Sequence, residues 1–93
     1  MTEKKDLKNK SSRAEKTHEA ILILYNDDVN SFEHVIIQLQ EIVKHSEQQA
    51  TQCTFLAHFK GTAIIEKGSH AQLKTFKDRL AEKGITTIIE SDN

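Results

Sequence analysis

A chain of 93 residues with 13 Lys and Arg against 14 Asp and Glu holds at most one domain. Residues 1–19 carry six basic and four acidic groups and the rest seven and ten, so the body is mildly acidic and lacks the basic face of a nucleic-acid binder. Cys53 is alone, which excludes an intramolecular disulfide, and no window is apolar for long enough to span a membrane; a cytoplasmic location is expected.

Residues 1–19, MTEKKDLKNKSSRAEKTHE, offer only Met1, Leu7 and Ala14 as apolar groups and lack the apolar run of a signal peptide. So little apolar surface does not offset the entropy of ordering, and a disordered N-terminal tail is expected there, with a core domain over residues 20–93. AILILY (20–25) reads as a strand buried on at least one face. Asn30 and Glu33 then stand at capping-box spacing, and Phe32, Val35, Ile36, Leu39, Ile42 and Val43 form one stripe of a helix over roughly 31–44. Ser46 and Gln49 repeat the cap spacing before a second helix with Ala50, Cys53, Leu56 and Ala57 on one face, closed by Gly61. TAIIE (62–66) reads as a second strand. Ser69 and Gln72 cap a third helix with Leu73, Phe76 and Leu80 inward, which Gly84 ends before the strand ITTIIE (85–90). The order β-α-α-β-α-β predicts an α+β two-layer sandwich, a three-stranded sheet packed on three helices.

Three pieces of this pattern stand together: Asn26-Asp27-Asp28 directly after the first strand, Ala50-Thr51 in the second helix, and His58-Phe59-Lys60-Gly61-Thr62-Ala63 leading into the second strand. At these separations the chain resembles the ClpS adaptors of bacterial Clp proteases, without a gap through residues 20–66 and more loosely to 90. The resemblance implies a non-enzymatic adaptor that binds the free N-terminus of N-degron substrates with a bulky apolar first residue. It implies delivery of these substrates to a Clp family AAA+ unfoldase, of ClpA or ClpC type, by a monomer that needs neither cofactor nor metal. By the same likeness Asn26, Asp28 and His58 grip the substrate's ammonium, while Asn30, Phe32, Val35, Thr54, Ala57 and Ile85 line the side-chain pocket. The chemistry fits, since an ammonium has three donors, and an amide oxygen, a carboxylate and a neutral imidazole supply acceptors.

Each residue also has a plainer reading. Asn26-Asp27-Asp28 is an ordinary turn sequence, and His58 near a helix end complements the helix dipole. Cys53 is a small apolar group on its helix, five residues from His58 and on another side of it, so a catalytic pair is not expected. His18, His34, His45 and His70 stand at no metal-ligand spacing. Four departures from the family pattern matter: Phe32 where Met is common at the pocket's rim, Thr54 where an apolar residue is usual, Asn30-Ser31 in place of Thr-Pro, and a stretch between Glu66 and Leu73 about three residues shorter. The alternative is a protein-interaction domain of the same fold without a degron pocket, as in the ribosomal stalk's C-terminal domain, and a pocket collapsed around Phe32 would favour it.

Overall fold

A computed structural model describes residues 19–26 and 28–92 of the chain. The tail expected over residues 1–19 lies outside them except for Glu19, which is already in the first strand; Asp27 lies outside them as well. The elements run β1 (Glu19–Tyr25), α1 (Phe32–Gln38), a π-helical turn (Leu39–Val43), α2 (Glu47–Lys60), β2 (Thr62–Ser69), α3 (His70–Glu82) and β3 (Thr87–Ser91). The sheet order is β2-β1-β3 with both pairings antiparallel, so the first strand in the chain is the central one. This is the expected α+β layering of three strands and three helices.

Alternation along β1 turns Ala20, Leu22 and Leu24 into the core and leaves Ile21 and Ile23 half-buried on the other face. The register places Ile64, Ile23 and Ile88 in one row across that outward face. Between Leu22 and Ile23 the β1–β2 register shifts, so that Ile65 is the extra residue of a bulge. Its carbonyl accepts a 2.6 Å hydrogen bond from Nε2 of the buried His45, which must therefore carry its proton on that nitrogen.

Local chemistry explains the helix limits. Ser46 and Ser69 cap α2 and α3 as their spacing predicts, accepting from the amides of Gln49 and Gln72 at 3.1 Å. At α1 the cap is Ser31, which accepts from His34 N at 3.0 Å, and not Asn30. The Asn30 amide is engaged elsewhere: its Nδ2 donates to Gly84 O at 2.8 Å, and His34 Nε2 donates to Lys83 O at 2.9 Å. Together these two bonds tie the start of α1 to the end of α3. Beyond the π-helical turn the chain reverses at Lys44, whose φ of 70° is left-handed, with His45 N reaching back to Leu39 O.

Three limits and faces differ from the sequence reading. On α2 the buried stripe is Ala50, Cys53, Thr54 and Ala57, and Leu56 is 39% exposed. At about 100° per residue, Thr54 completes an i, i+3, i+4, i+7 stripe from whose centre Leu56 lies more than about a quarter-turn away. β2 continues past Glu66 to Ser69, which serves at once as its last residue and as the cap of α3, so the two elements join without a loop. β3 begins at Thr87, because the turn at Gly84 (φ 80°) draws Ile85 into the core, where its amide donates to Leu80 O. Leu73 and Leu80 are fully buried, and Phe76 packs partly buried against the core. No helix of the described residues is long and apolar enough to cross a membrane.

Candidate functional site

A small cavity opens where the central strand ends. The last residues of β1 are held from both sides: Tyr25 N–H points to Thr86 O at 3.4 Å and Asn26 N–H donates to Gly61 O at 3.0 Å. Gly61 has a φ of 94°, a conformation that closes α2 and turns its carbonyl towards Asn26. The end of β1 contributes Leu24, Tyr25 and Asn26 to the lining, the following loop and α1 contribute Asn30, Phe32 and Val35, and α2 contributes Thr54, Ala57 and His58. The space is about 20 Å³, enough for one water molecule.

Polar and apolar groups are segregated in it. Val35, Thr54 and Ala57 are buried and form its floor, while Asn26, His58 and Phe32 are exposed at its rim. Thr54 gives its hydroxyl proton to Ala50 O at 2.8 Å, so that donor is spent inside its own helix. Neither the Asn26 side chain nor the His58 ring has a hydrogen-bond partner among the described residues, which leaves an amide oxygen and an imidazole nitrogen for a guest. The Phe32 ring, part of the lining, packs edge to face with His58 at 4.9 Å between centroids and with Phe55 at the same distance.

Of the residues singled out from the sequence, seven are therefore neighbours around one cavity. Two are not. Asp28 is exposed in the loop and outside the lining, and Ile85 is 1% exposed in the core beside Gly84. Two lining residues were missed, Leu24 and Tyr25, because a strand's last positions read as core or as turn. The one signal was their place immediately before the Asn-Asp-Asp sequence. Cys53 lies on the core side of α2, where burial pushes its thiol pKa up and so keeps it in the unreactive protonated form. No group of three His, Cys, Asp or Glu among the described residues is placed to hold a metal ion.

The family model described as "ATP-dependent Clp protease adaptor protein ClpS" matches residues 13–86. The chain belongs to the ClpS family. A ClpS adapter of Prochlorococcus marinus is 36% identical over 87 residues, covering 92% of this chain and 77% of the relative. One from Synechococcus is 32% identical over 73 residues, covering 77% and 70%, and one from Mycobacterium tuberculosis is 25% identical over 72, covering 77% and 71%. Among solved structures, Agrobacterium tumefaciens ClpS2 bound to L-phenylalaninamide superposes with a TM-score of 0.78 at 20% identity, over 81% of this chain and 98% of that one. At that identity the likeness establishes the ClpS fold. Family membership makes the chain an adaptor of the ATP-dependent Clp protease, the level at which the sequence resemblance holds.

Proposed function

We propose that this ClpS protein holds the α-ammonium and the bulky apolar first side chain of an N-degron substrate at the cavity beyond β1, and presents that substrate to a Clp AAA+ unfoldase of ClpA or ClpC type without making or breaking a bond. The observation that carries the reading is the meeting of unpartnered acceptors on Asn26 and His58 with the apolar floor of Val35 and Ala57. The Agrobacterium neighbour supports it, since L-phenylalaninamide presents a free α-amine beside an aromatic side chain. In this scheme Asn26 and neutral His58 accept from the ammonium. Asp28 adds its carboxylate once the loop brings it over the rim. Charge-assisted bonds contribute about 1.5–3 kcal/mol each and burial of a Leu or Phe side chain about as much. Less the smallest cost of association, about 4 kcal/mol, this reaches at most the scale of a micromolar complex, about 8 kcal/mol.

One observation favours the second reading, a protein-interaction domain without a degron pocket. A space of about 20 Å³ does not admit a Leu side chain, and Phe32 is part of its lining. The first reading therefore requires the lining to open when the guest enters, and the part-exposed Phe32 ring is the member placed to swing outward. Calorimetric titration with a Phe-started peptide and its N-acetylated twin separates the two. Binding of the free peptide only, lost in Asn26→Ala and His58→Ala, is expected; equal binding of both peptides, or of neither, would leave the interaction-domain reading in its place.

A further inference from the structure

Four aromatic side chains close a circuit of contacts beside the cavity. Phe32 and Phe55 meet edge to face at 4.9 Å between centroids, and Phe55 lies nearly parallel to Phe59 at 6.1 Å. Phe59 meets His58 at 4.8 Å, and His58 returns to Phe32 at 4.9 Å. Helical spacing builds the circuit: Phe55 and Phe59 are four residues apart on α2 and His58 three from Phe55, so all three share one flank of the helix. Phe32 and His58 also line the cavity, whereas Phe55 and Phe59 do not and stand 41% and 74% exposed. Apolar surface thus runs without a break from the cavity's rim onto the outside of α2, where Leu56, 39% exposed, extends it.

We propose that Phe55 and Phe59 form a second subsite, which takes the side chain of the substrate's second residue and favours an aromatic or large aliphatic group there. The inference rests on the preceding reading of the cavity. With the first side chain in the cavity and the ammonium at Asn26 and His58, the next Cα lies 3.8 Å away and its side chain points to the other side of an extended peptide. It cannot follow the first side chain inward. The apolar surface continuous with the rim is the ring pair on α2. Its chemistry selects the occupant: the neighbouring α2 positions Thr51, Gln52 and Lys60 carry no carboxylate to draw a basic residue, and ring edges and faces complement an aromatic one.

The test uses the full-length protein and peptides that begin Phe-Phe, Phe-Ala and acetyl-Phe-Phe, titrated against wild type and Phe59→Ala. The substituted ring is 74% exposed, so the fold should tolerate its loss. The Phe-Phe peptide should bind about fivefold more tightly than Phe-Ala, the size of one aromatic pair. In Phe59→Ala that ratio should fall to about one while discrimination against the acetylated peptide persists. A ratio of about one in wild type, or an unchanged ratio in the variant, with acetyl discrimination intact, would overturn the subsite alone. Equal binding of acetylated and free peptides would remove the ammonium reading and the subsite with it. Self-association seen by sedimentation and abolished by Phe59→Ala, without a second-residue preference, would assign the rings to an interface between copies and overturn the proposal.

Discussion

On the proposed reading, Phe32 is the side chain that most directly sets what the cavity admits. The residue is 37% exposed and its ring is held by His58 and Phe55, in the cavity's lining rather than in the core. Phe32→Met replaces a stiff ring by an unbranched, adaptable chain. Affinity for Trp- and Phe-started peptides should rise severalfold with little gain for Leu, and the melting temperature should hardly move; an unchanged Trp-to-Leu affinity ratio by calorimetry would show that the ring does not gate. His45 acts on stability instead. Its bond to Ile65 O satisfies the carbonyl of the bulge residue, and His45→Ala should cost about 1–3 kcal/mol in urea unfolding by leaving that oxygen buried without a donor. Asn26 and His58 were singled out through the family resemblance, since taken alone they read as a turn residue and a helix-end histidine. The cavity's makeup was not readable for Ile85, whose burial depends on how Gly84 turns the chain, nor for Leu24, whose inward direction comes from alternation along β1.

Helix starts were legible because capping is local. Ser46 with Gln49 and Ser69 with Gln72 need no partner outside their own turn. Asn30 and Ser31 are both good cap residues, and the choice between them was made by a carbonyl far away in sequence, that of Gly84. The length of β2 escaped for a related reason: Lys67, Gly68 and Ser69 show no apolar pattern and are strand because β1 pairs with them. At the reversal after α1, Lys44 holds a left-handed φ of 70° that glycine adopts at lower cost. Lys44→Gly should therefore raise stability by about 0.5–1 kcal/mol in chemical denaturation, with peptide binding unaltered. Gly61→Ala should do the opposite. Nothing lies within 4 Å of the added methyl, so its cost comes from the φ of 94° alone, about 1–2 kcal/mol, and any relaxation there moves the carbonyl that holds Asn26.

Across the molecule, three strands and three helices share one small core. The layering was legible from the apolar stripes of α1 and α3, the apolar runs of the strands and the helix caps, although the inward face of α2 was not. The outward row of Ile64, Ile23 and Ile88 was not, since only register brings residues from three strands into line. Leu73, fully buried on α3, is a central member of the core. Leu73→Ala should cost about 2–5 kcal/mol. That is a large share of the 5–15 kcal/mol typical of a domain, so a steep fall in thermal midpoint is expected.

The sheet order has a consequence for synthesis. The strand made first, β1, is the middle one, and Leu24 meets Ala63 on one side and Thr87 on the other. Until the ribosome has released β3, AILILY has one edge open. Native pairing on that side thus waits until residues 87–91 have been made. A chain ended after Gly84, with α3 complete and β3 missing, should show no cooperative melting transition and should aggregate during expression.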